Sequence, residues 1–480
     1  LINLWGRCQG NPRLINVPGG ADLRSFIQRA DEAGEPVIRI ARKVSPIHEL
    51  SAVVKAFERQ GNPILVFENV EGAELPVIDG VFGSRRRLAL ALGVDVQSLT
   101  ESYIERLANP LSPEFVAEAK VHEVINRDDV DLGELPICVH APLDAGRYIT
   151  SGVCLARDHE SGAINTGIYR IMLKGKDRVT LSVDSGDDLA RILTTARERG
   201  EPVDVAIVVG GHPAIAIASQ AKIPIDLDSL SITGALLGAP LRVHDAVTVD
   251  LPVPADADVV IEGRVQTGGP GEPEGPFGEF SYYYGSSMGW VCDVTAVTRR
   301  SDAIWLDIHP THREHRILAF APAHEARLLQ TLRRSRAAVR AVHIPTETAG
   351  LVACISLRKR HDGEPRQVAM SAFGVDSLIK HVVIVDDDVD VTDPGEVAWA
   401  LTVRVQADRD ILMIPNAMGI AEDPSSYSYG SRVERRGLVT KTAIDATMPL
   451  EADIPPRADE LPDRYAGLDP RDYLSPGPED

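Results

Sequence analysis

Cysteine is scarce in this sequence, with five in 480 residues (Cys8, Cys138, Cys154, Cys292 and Cys354), widely scattered and never in a CxxC pair. An odd count with such spacing excludes a disulfide framework and a structural zinc knuckle, and it predicts a reducing compartment, the cytoplasm. Aromatic residues make up only 5% of the chain. No apolar run approaches the roughly 18 residues that a membrane span needs. The N-terminus lacks the basic, apolar and small-residue succession of a signal peptide, and because it opens on Leu1 rather than Met nothing is built on its first residues. Positive charge is in deficit: 50 Lys and Arg against 70 Asp and Glu leave a net charge of −20. A field of that sign repels nucleic-acid phosphates and anionic membranes, so neither is an expected partner.

What is present is enough apolar residue, 44%, to build cores for about three domains. Three times a helical stripe ends in Gly, is followed by one residue and Pro, and passes into a β-branched run. The stripes are Leu23, Phe26, Ile27 and Ala30 before Gly34; Leu50, Val53, Val54 and Phe57 before Gly61; and Leu189, Ile192, Leu193 and Ala196 before Gly200. Each predicts a helix stopped by a left-handed glycine and passing into a strand of layered α/β structure. Between Leu241 and Ile308 the pattern changes to short β-like runs (residues 247–253, 258–265, 280–284, 290–297 and 303–308), which predict an antiparallel sheet or small barrel. Helix and strand alternate again from His312 to Ala446, with residues 381–385 as a buried strand and a helix behind Asp393-Pro394. The Pro-rich tail is expected to be extended.

The most informative segment is Pro273-Glu274-Gly275-Pro276-Phe277-Gly278-Glu279. On a regular strand its two glutamates would face opposite ways, but Gly275-Pro276 and Gly278 can turn both to one side, where a partly buried pair separates in proton affinity. Taken alone, the segment reads more readily as a glycine-rich hairpin with solvated acids. In Ile164-Asn165-Thr166-Gly167-Ile168-Tyr169-Arg170, the guanidinium is either a carboxylate clamp or a rim ion pair. His309, His312 and His315 suggest a metal hydrolase, but their spacing and Pro310 do not match a helical i, i+4 ligand pair, so core or surface histidines are the expectation. The acidic run 386–390 reads as strand-end and capping acids, not a calcium loop. Gly210-Gly211-His212-Pro213 could greet an anion, without a dinucleotide or phosphate-loop signature.

Taken together, Asn62-Pro63 with the run to residue 70, Gly80-Val81-Phe82-Gly83-Ser84-Arg85, Asn165 to Arg170, Pro273 to Glu279, residues 380–390 and Ile444-Asp445-Ala446-Thr447 resemble the UbiD-like family of prenylated-FMN-dependent (de)carboxylases. The similarity is strongest to members acting on aromatic and heteroaromatic acids. The resemblance implies a mixed α/β fold: an N-terminal α/β region (1–115), a central split β-barrel flavin-binding domain (116–312), a C-terminal α/β oligomerisation domain (313–450) and an extended tail (451–480). It implies reversible, non-oxidative decarboxylation of an aromatic, heteroaromatic or α,β-unsaturated carboxylic acid through a covalent substrate-cofactor adduct. In that scheme Arg170 binds the substrate carboxylate, Glu274 orients Arg170, and Glu279 is the general acid. Asn165, Ile168, Tyr169, Arg170, Ser182 and Lys380 would line the prenylated FMN, with Lys380 at its phosphate. A flavin prenyltransferase would supply the cofactor, and the chain would form a homodimer or higher homo-oligomer.

The sequence departs from the family at the divalent metal, Mn or Mg with K beside it, that clamps the flavin phosphate through Asn, His and Glu. Asn165 matches the first ligand, but Ser182 stands in place of the His and Ser229 in place of the Glu, leaving Asp228 as a substitute. Hydroxyls are poor replacements for imidazole and carboxylate. Two expectations follow: a metal site that is weak or differently built, or a non-catalytic, cofactor-poor subunit of a larger complex.

Overall fold

Each helix-Gly-x-Pro-strand unit folds as its pattern predicts in the computed structural model, which describes residues 22–280, 282–335, 338–420, 423–426, 437–451 and 473. Cys8 and nearly all of the expected extended tail lie outside those residues. The helices Leu23–Glu32, Glu49–Glu58 and Asp188–Arg199 turn their apolar stripes inward, with Val53 and Phe57 only half-buried. Gly34, Gly61 and Gly200 take φ of 79°, 89° and 70°, where a side chain would be strained, so the helices stop there. The strands Val37–Ile40, Ile64–Phe67 and Val203–Val209 follow.

The first two strands join Val77–Asp79 and Trp305–Leu306 in a four-stranded sheet. Residues 303–308, expected among the antiparallel runs, therefore contribute only two strand residues, and these pair parallel with Val77 and Ile78 in the N-terminal sheet. The central sheet has ten strands. Its spatial order runs from Tyr148–Ile149 through Arg170–Leu173, Arg178–Ser182, Ser287–Arg299, Val259–Val265, Val203–Val209 and Val153–Arg157 to Ile164–Ile168. All the pairings along this path are antiparallel. Strand Ile164–Ile168 ends one edge, yet Arg170–Leu173, one strand in from the other edge, follows it after the single residue Tyr169. The sheet must therefore curl until its two ends meet at Tyr169, a half-barrel whose seam carries both Asn165 and Arg170.

Two expected strands are built differently. Of residues 247–253 only the last two are strand, in Pro252–Pro254. The fully buried Glu262 carboxylate accepts the N–H groups of Val247 and Thr248, so these amides need no neighbouring strand. Residues 280–284 are not one strand: Phe277–Glu279 pairs with Tyr282–Tyr284, and Phe280 turns between them at φ 49°. The C-terminal sheet has five strands, with Val352–Leu357, His381–Asp386 and Leu438–Ala446 parallel at its centre. Ala353, Ile355, Val382 and Ile384 face one core and Cys354, Val383 and Val385 another, which is why strand 381–386 reads as a continuous apolar run. Asp386 ends its strand, as expected of the acidic run, and it and Asp388 also pair with Arg404; the helix Pro394–Arg404 is capped by Asp393, beyond the run.

Helix Arg313–Phe320 is fastened to the N-terminal sheet by buried acid. His312 caps it through Nδ1, and Glu314 accepts the N–H of Gly80 and of Phe82 at 2.8 and 2.9 Å. Asp79 lies beside Glu314, fully buried, with neither carboxyl oxygen in a regular hydrogen bond. Burial, then the charges of Glu314 and Asp307, push Asp79 well above the carboxylate range. Burial likewise raises Glu314 to about 7, against the pull of the Phe82 and Gly80 N–H groups. The simplest neutralisation is one shared proton. Both affinities are higher folded than unfolded, so the stability is full below the ordinary carboxylate range and is lost as pH rises through about 7. Buried His309 and His312 are held neutral and act with the opposite sign at lower pH, so a variant must isolate the acid pair. Asp79→Asn keeps a donor for Glu314 and removes the second charge. Its melting temperature should fall clearly less from about pH 5 to pH 8 than that of wild type, because buried Glu314 still titrates while the contribution of Asp79 is gone. A variant that falls in parallel with wild type excludes the pair.

Candidate active site

The half-barrel seam brings Arg170 against Glu274, which comes from the short strand Glu272–Glu274 paired to Ser287–Gly289. Arg170 Nε and Nη2 donate to Glu274 Oε1 and Oε2, each at 2.9 Å. The Glu274 side chain is wholly buried and that of Arg170 is 19% exposed. Ser287 Oγ adds a third hydrogen bond to Glu274, and the guanidinium lies 5.6 Å from the Phe277 ring centre. Burial opposes the charge on Arg170, but the hydrogen bonds and charge of Glu274, with that of Glu279 added, outweigh it and hold the proton more firmly than water does. Tyr148 packs on Phe277, 4.6 Å between ring centres, and its hydroxyl accepts the Gly275 N–H. Burial and then the Glu274 charge keep that phenol neutral.

At Gly275-Pro276 the chain changes element, so that Glu274 belongs to a strand of the barrel and Glu279 to a separate two-stranded ribbon, with Gly278 inside that ribbon and not at a bend. Glu279 Oε1 lies 3.0 Å from His315 Nε2, and each side chain is 20% exposed. His315 is a site residue that the sequence reading missed, grouping it with His309 and His312. The available signal was its place in the first turn of a helix, one residue beyond the anchor Glu314. His309 and His312 are buried instead. Among the described residues, two groups could hold a metal by type, Asp79/His312/Glu314 and Cys138/His140/Asp307. In both, internal hydrogen bonds occupy principal donor atoms: His312 Nδ1 accepts the Glu314 N–H, and His140 Nε2 bonds to Asp307. The Gly210-Gly211 turn is taken by an internal anion, since Asp258 accepts the Gly211 N–H, and His212 is bonded to Arg29.

The remaining expected residues fall into separate groups. Asn165 Oδ1 is buried without a hydrogen-bond partner. Next to it, the Ile164 N–H donates to Asp228 Oδ2, while Asp228 Oδ1 caps the helix Ser229–Leu237 through Leu230 and Ser231. Buried Ser229 opens that helix. Ser182 ends its strand directly opposite Arg170. Ile168 and Tyr169 form the seam, and the Tyr169 ring lies over Gly167, where a Cβ would sit 2.5 Å from its hydroxyl. Lys380 is in another cluster, bonded to Asp423 at 2.7 Å and to Ser425.

Asn165 Oδ1 is the kind of orphaned donor that a cation would satisfy. The rest of the set does not fit a borderline divalent ion: the Asp228 oxygens are engaged with backbone N–H groups, and the other two positions are hydroxyls.

Family models match the chain almost from end to end: the 3-octaprenyl-4-hydroxybenzoate carboxy-lyase N-terminal domain over residues 28–107, its Rift-related domain over 114–313 and its C-terminal domain over 318–446. The anhydromevalonate phosphate decarboxylase of Methanothermobacter thermautotrophicus is 33% identical over 431 residues, covering 89% of this chain and 97% of the relative. The UbiD-class enzyme HmfF from Pelotomaculum thermopropionicum, solved with FMN, superposes with a TM-score of 0.87 at 36% identity, covering 94% of this chain and all of that one. The 3,4-dihydroxybenzoic acid decarboxylase of Klebsiella pneumoniae superposes at 0.83 with 26% identity, covering 95% of this chain and all of that one. With this fold and these matches, the chain belongs to the UbiD family and is a carboxy-lyase of that class.

Proposed function

We propose that the protein catalyses the reversible, non-oxidative decarboxylation of an aromatic, heteroaromatic or α,β-unsaturated carboxylic acid with prenylated FMN. The observation that carries the reading is the bidentate pair of half-buried Arg170 with wholly buried Glu274, with Glu279 following on the same segment. Glu274 holds the guanidinium in one orientation, and Arg170 draws the substrate carboxylate to it. Prenylated FMN, when bound, supplies the electron sink for the carbon that loses carbon dioxide. Glu279 delivers the proton that replaces carbon dioxide, and His315 Nε2, 3.0 Å away, returns one to it. Asn165, Ile168, Tyr169 and Ser182 lie along the seam where the flavin would lie, and Lys380 would reach its phosphate by leaving Asp423.

Because one relative is named for a phosphorylated acid, the substrate screen should carry phosphorylated acids as well. By the same reading the division of labour is an N-terminal region to about residue 115, a flavin barrel to 312 and an oligomerising C-terminal domain to 450, in a cytoplasmic homo-oligomer supplied by a flavin prenyltransferase. HmfF, solved in an evolved dimeric form with prenylated FMN, supports the cofactor.

Co-production with a flavin prenyltransferase should yield protein whose released cofactor has the mass of prenylated FMN, while protein loaded with FMN alone stays inactive. Folded protein that retains no flavin would favour the cofactor-poor subunit instead. Glu279→Gln keeps shape and a donor but transfers no proton, so turnover should fall about a hundredfold or more with cofactor retained. Arg170→Lys should raise KM and lower kcat together, because a point charge replaces a fork. Near-normal turnover in Glu279→Gln would remove Glu279 from the mechanism. The metal reading has its own check: Ser182→His with Ser229→Glu should raise manganese retention through gel filtration, whereas stoichiometric manganese in wild type that chelators cannot strip would show the serines are no obstacle.

A further inference from the structure

Glu279 sits at the end of a short ribbon that is tied on its barrel side, where Asp144 accepts the Gly278 N–H at 2.8 Å and the Tyr283 hydroxyl accepts the Leu143 N–H; beyond Glu279 the tie is aromatic. The pair Phe277–Glu279 and Tyr282–Tyr284 is a separate two-stranded sheet, and isolated hairpins of that size are marginal. The next residue, Phe280, adopts φ 49°, a left-handed backbone that a bulky side chain takes only when its surroundings impose it. Those surroundings are aromatic. The Phe280 ring is 5.0 Å from that of His315 and stacks on Phe320, with centres 5.7 Å apart and planes 24° from parallel. Phe320 in turn meets His324 edge-on at 5.7 Å, and His324 Nδ1 is 2.6 Å from Asp376 Oδ2. Phe280 thereby packs against the core of the C-terminal sheet and its helices, although its chain neighbours belong to the barrel side of the site. The far side of the stack is fitted closely: a Cβ on Gly350 would lie 2.4 Å from the tip of the Phe320 ring.

Resting on the function proposed above, we propose that Phe280 is a positioning residue for the proton donor: its ring, keyed between His315 and Phe320, fixes the backbone from which Glu279 projects and so sets the Glu279–His315 contact. The C-terminal core then determines where the proton is presented, and a change at Gly350, which does not contact Glu279, should be felt there.

The test uses the full chain with two readouts. In protein carrying histidines labelled with 13C at Cε1, the His315 signal is assigned by its loss in His315→Gln, and Glu279→Gln shows how it moves when its partner changes. Phe280→Ala and Gly350→Ala should move the His315 signal in that same direction, and Phe280→Tyr should leave it near wild type. Gly34→Ala is the control: it imposes the same backbone strain, at φ 79°, with nothing within 4 Å to displace, and should leave the signal unchanged. In holoenzyme with the best acid from the screen, Phe280→Ala and Gly350→Ala should each lower kcat about ten- to a hundredfold with KM within about twofold, and the double variant should lose little more than either. An unmoved His315 signal in Phe280→Ala, additive losses, or equal effects from Gly34→Ala would overturn the assignment. If wild type turns over no acid, the function proposed above fails, and the His315 signal alone decides the placement.

Discussion

A wholly buried carboxylate met by a guanidinium at the seam of a curled sheet is the constraint on which the site depends. Glu274 has no exposed side-chain surface, so its charge is tolerable only while Arg170 meets it with two N–H groups. The pair stands where strand Arg170–Leu173 follows the seam at Tyr169 and where the chain leaves the barrel after Glu274. Breaking such a pair from one side typically costs about 3–5 kcal/mol, whereas replacing both members by apolar residues is often neutral. Stability alone therefore gives no reason for its presence, and the reason must be sought in what the guanidinium can bind.

The helix Arg313–Phe320 ties the other half of the site to the frame. Its first turn is fastened to the N-terminal sheet through Glu314, Ile317, three residues after that anchor, belongs to the core, and His315 between them faces Glu279. The cost of that fastening is a pair of carboxyls, Asp79 and Glu314, that must share a proton in the dry interior. At the opposite end of the seam the chain departs from its family. Asn165 Oδ1 is buried there without a hydrogen-bond partner, and the neighbouring Asp228 is engaged with backbone N–H groups.

Much of this architecture was legible because it is local. The helix stripes, the glycine stops and the buried strand 381–386 are written in periodicities of a few residues, and Arg170, Glu274 and Glu279 were singled out by short motifs. What was not legible depends on residues far apart in the chain. Trp305–Leu306 returns to a sheet begun before residue 80, Glu262 takes the amides that would have made residues 247–251 a strand, and His315 finds Glu279 only after the helix is fastened. Asp258 filling the Gly211 turn is of the same kind: the loop does receive an anion, but an internal one.

The central claim is that the Arg170–Glu274 pair serves recognition and not folding. Arg170→Met together with Glu274→Leu removes both charges while keeping the volume apolar, so thermal unfolding and turnover of that double variant, measured beside wild type on cofactor-loaded protein, separate the two roles. The account predicts a melting temperature at or above wild type and no detectable decarboxylation. A protein that unfolds well below wild type, or one that still releases carbon dioxide at a comparable rate, would contradict it.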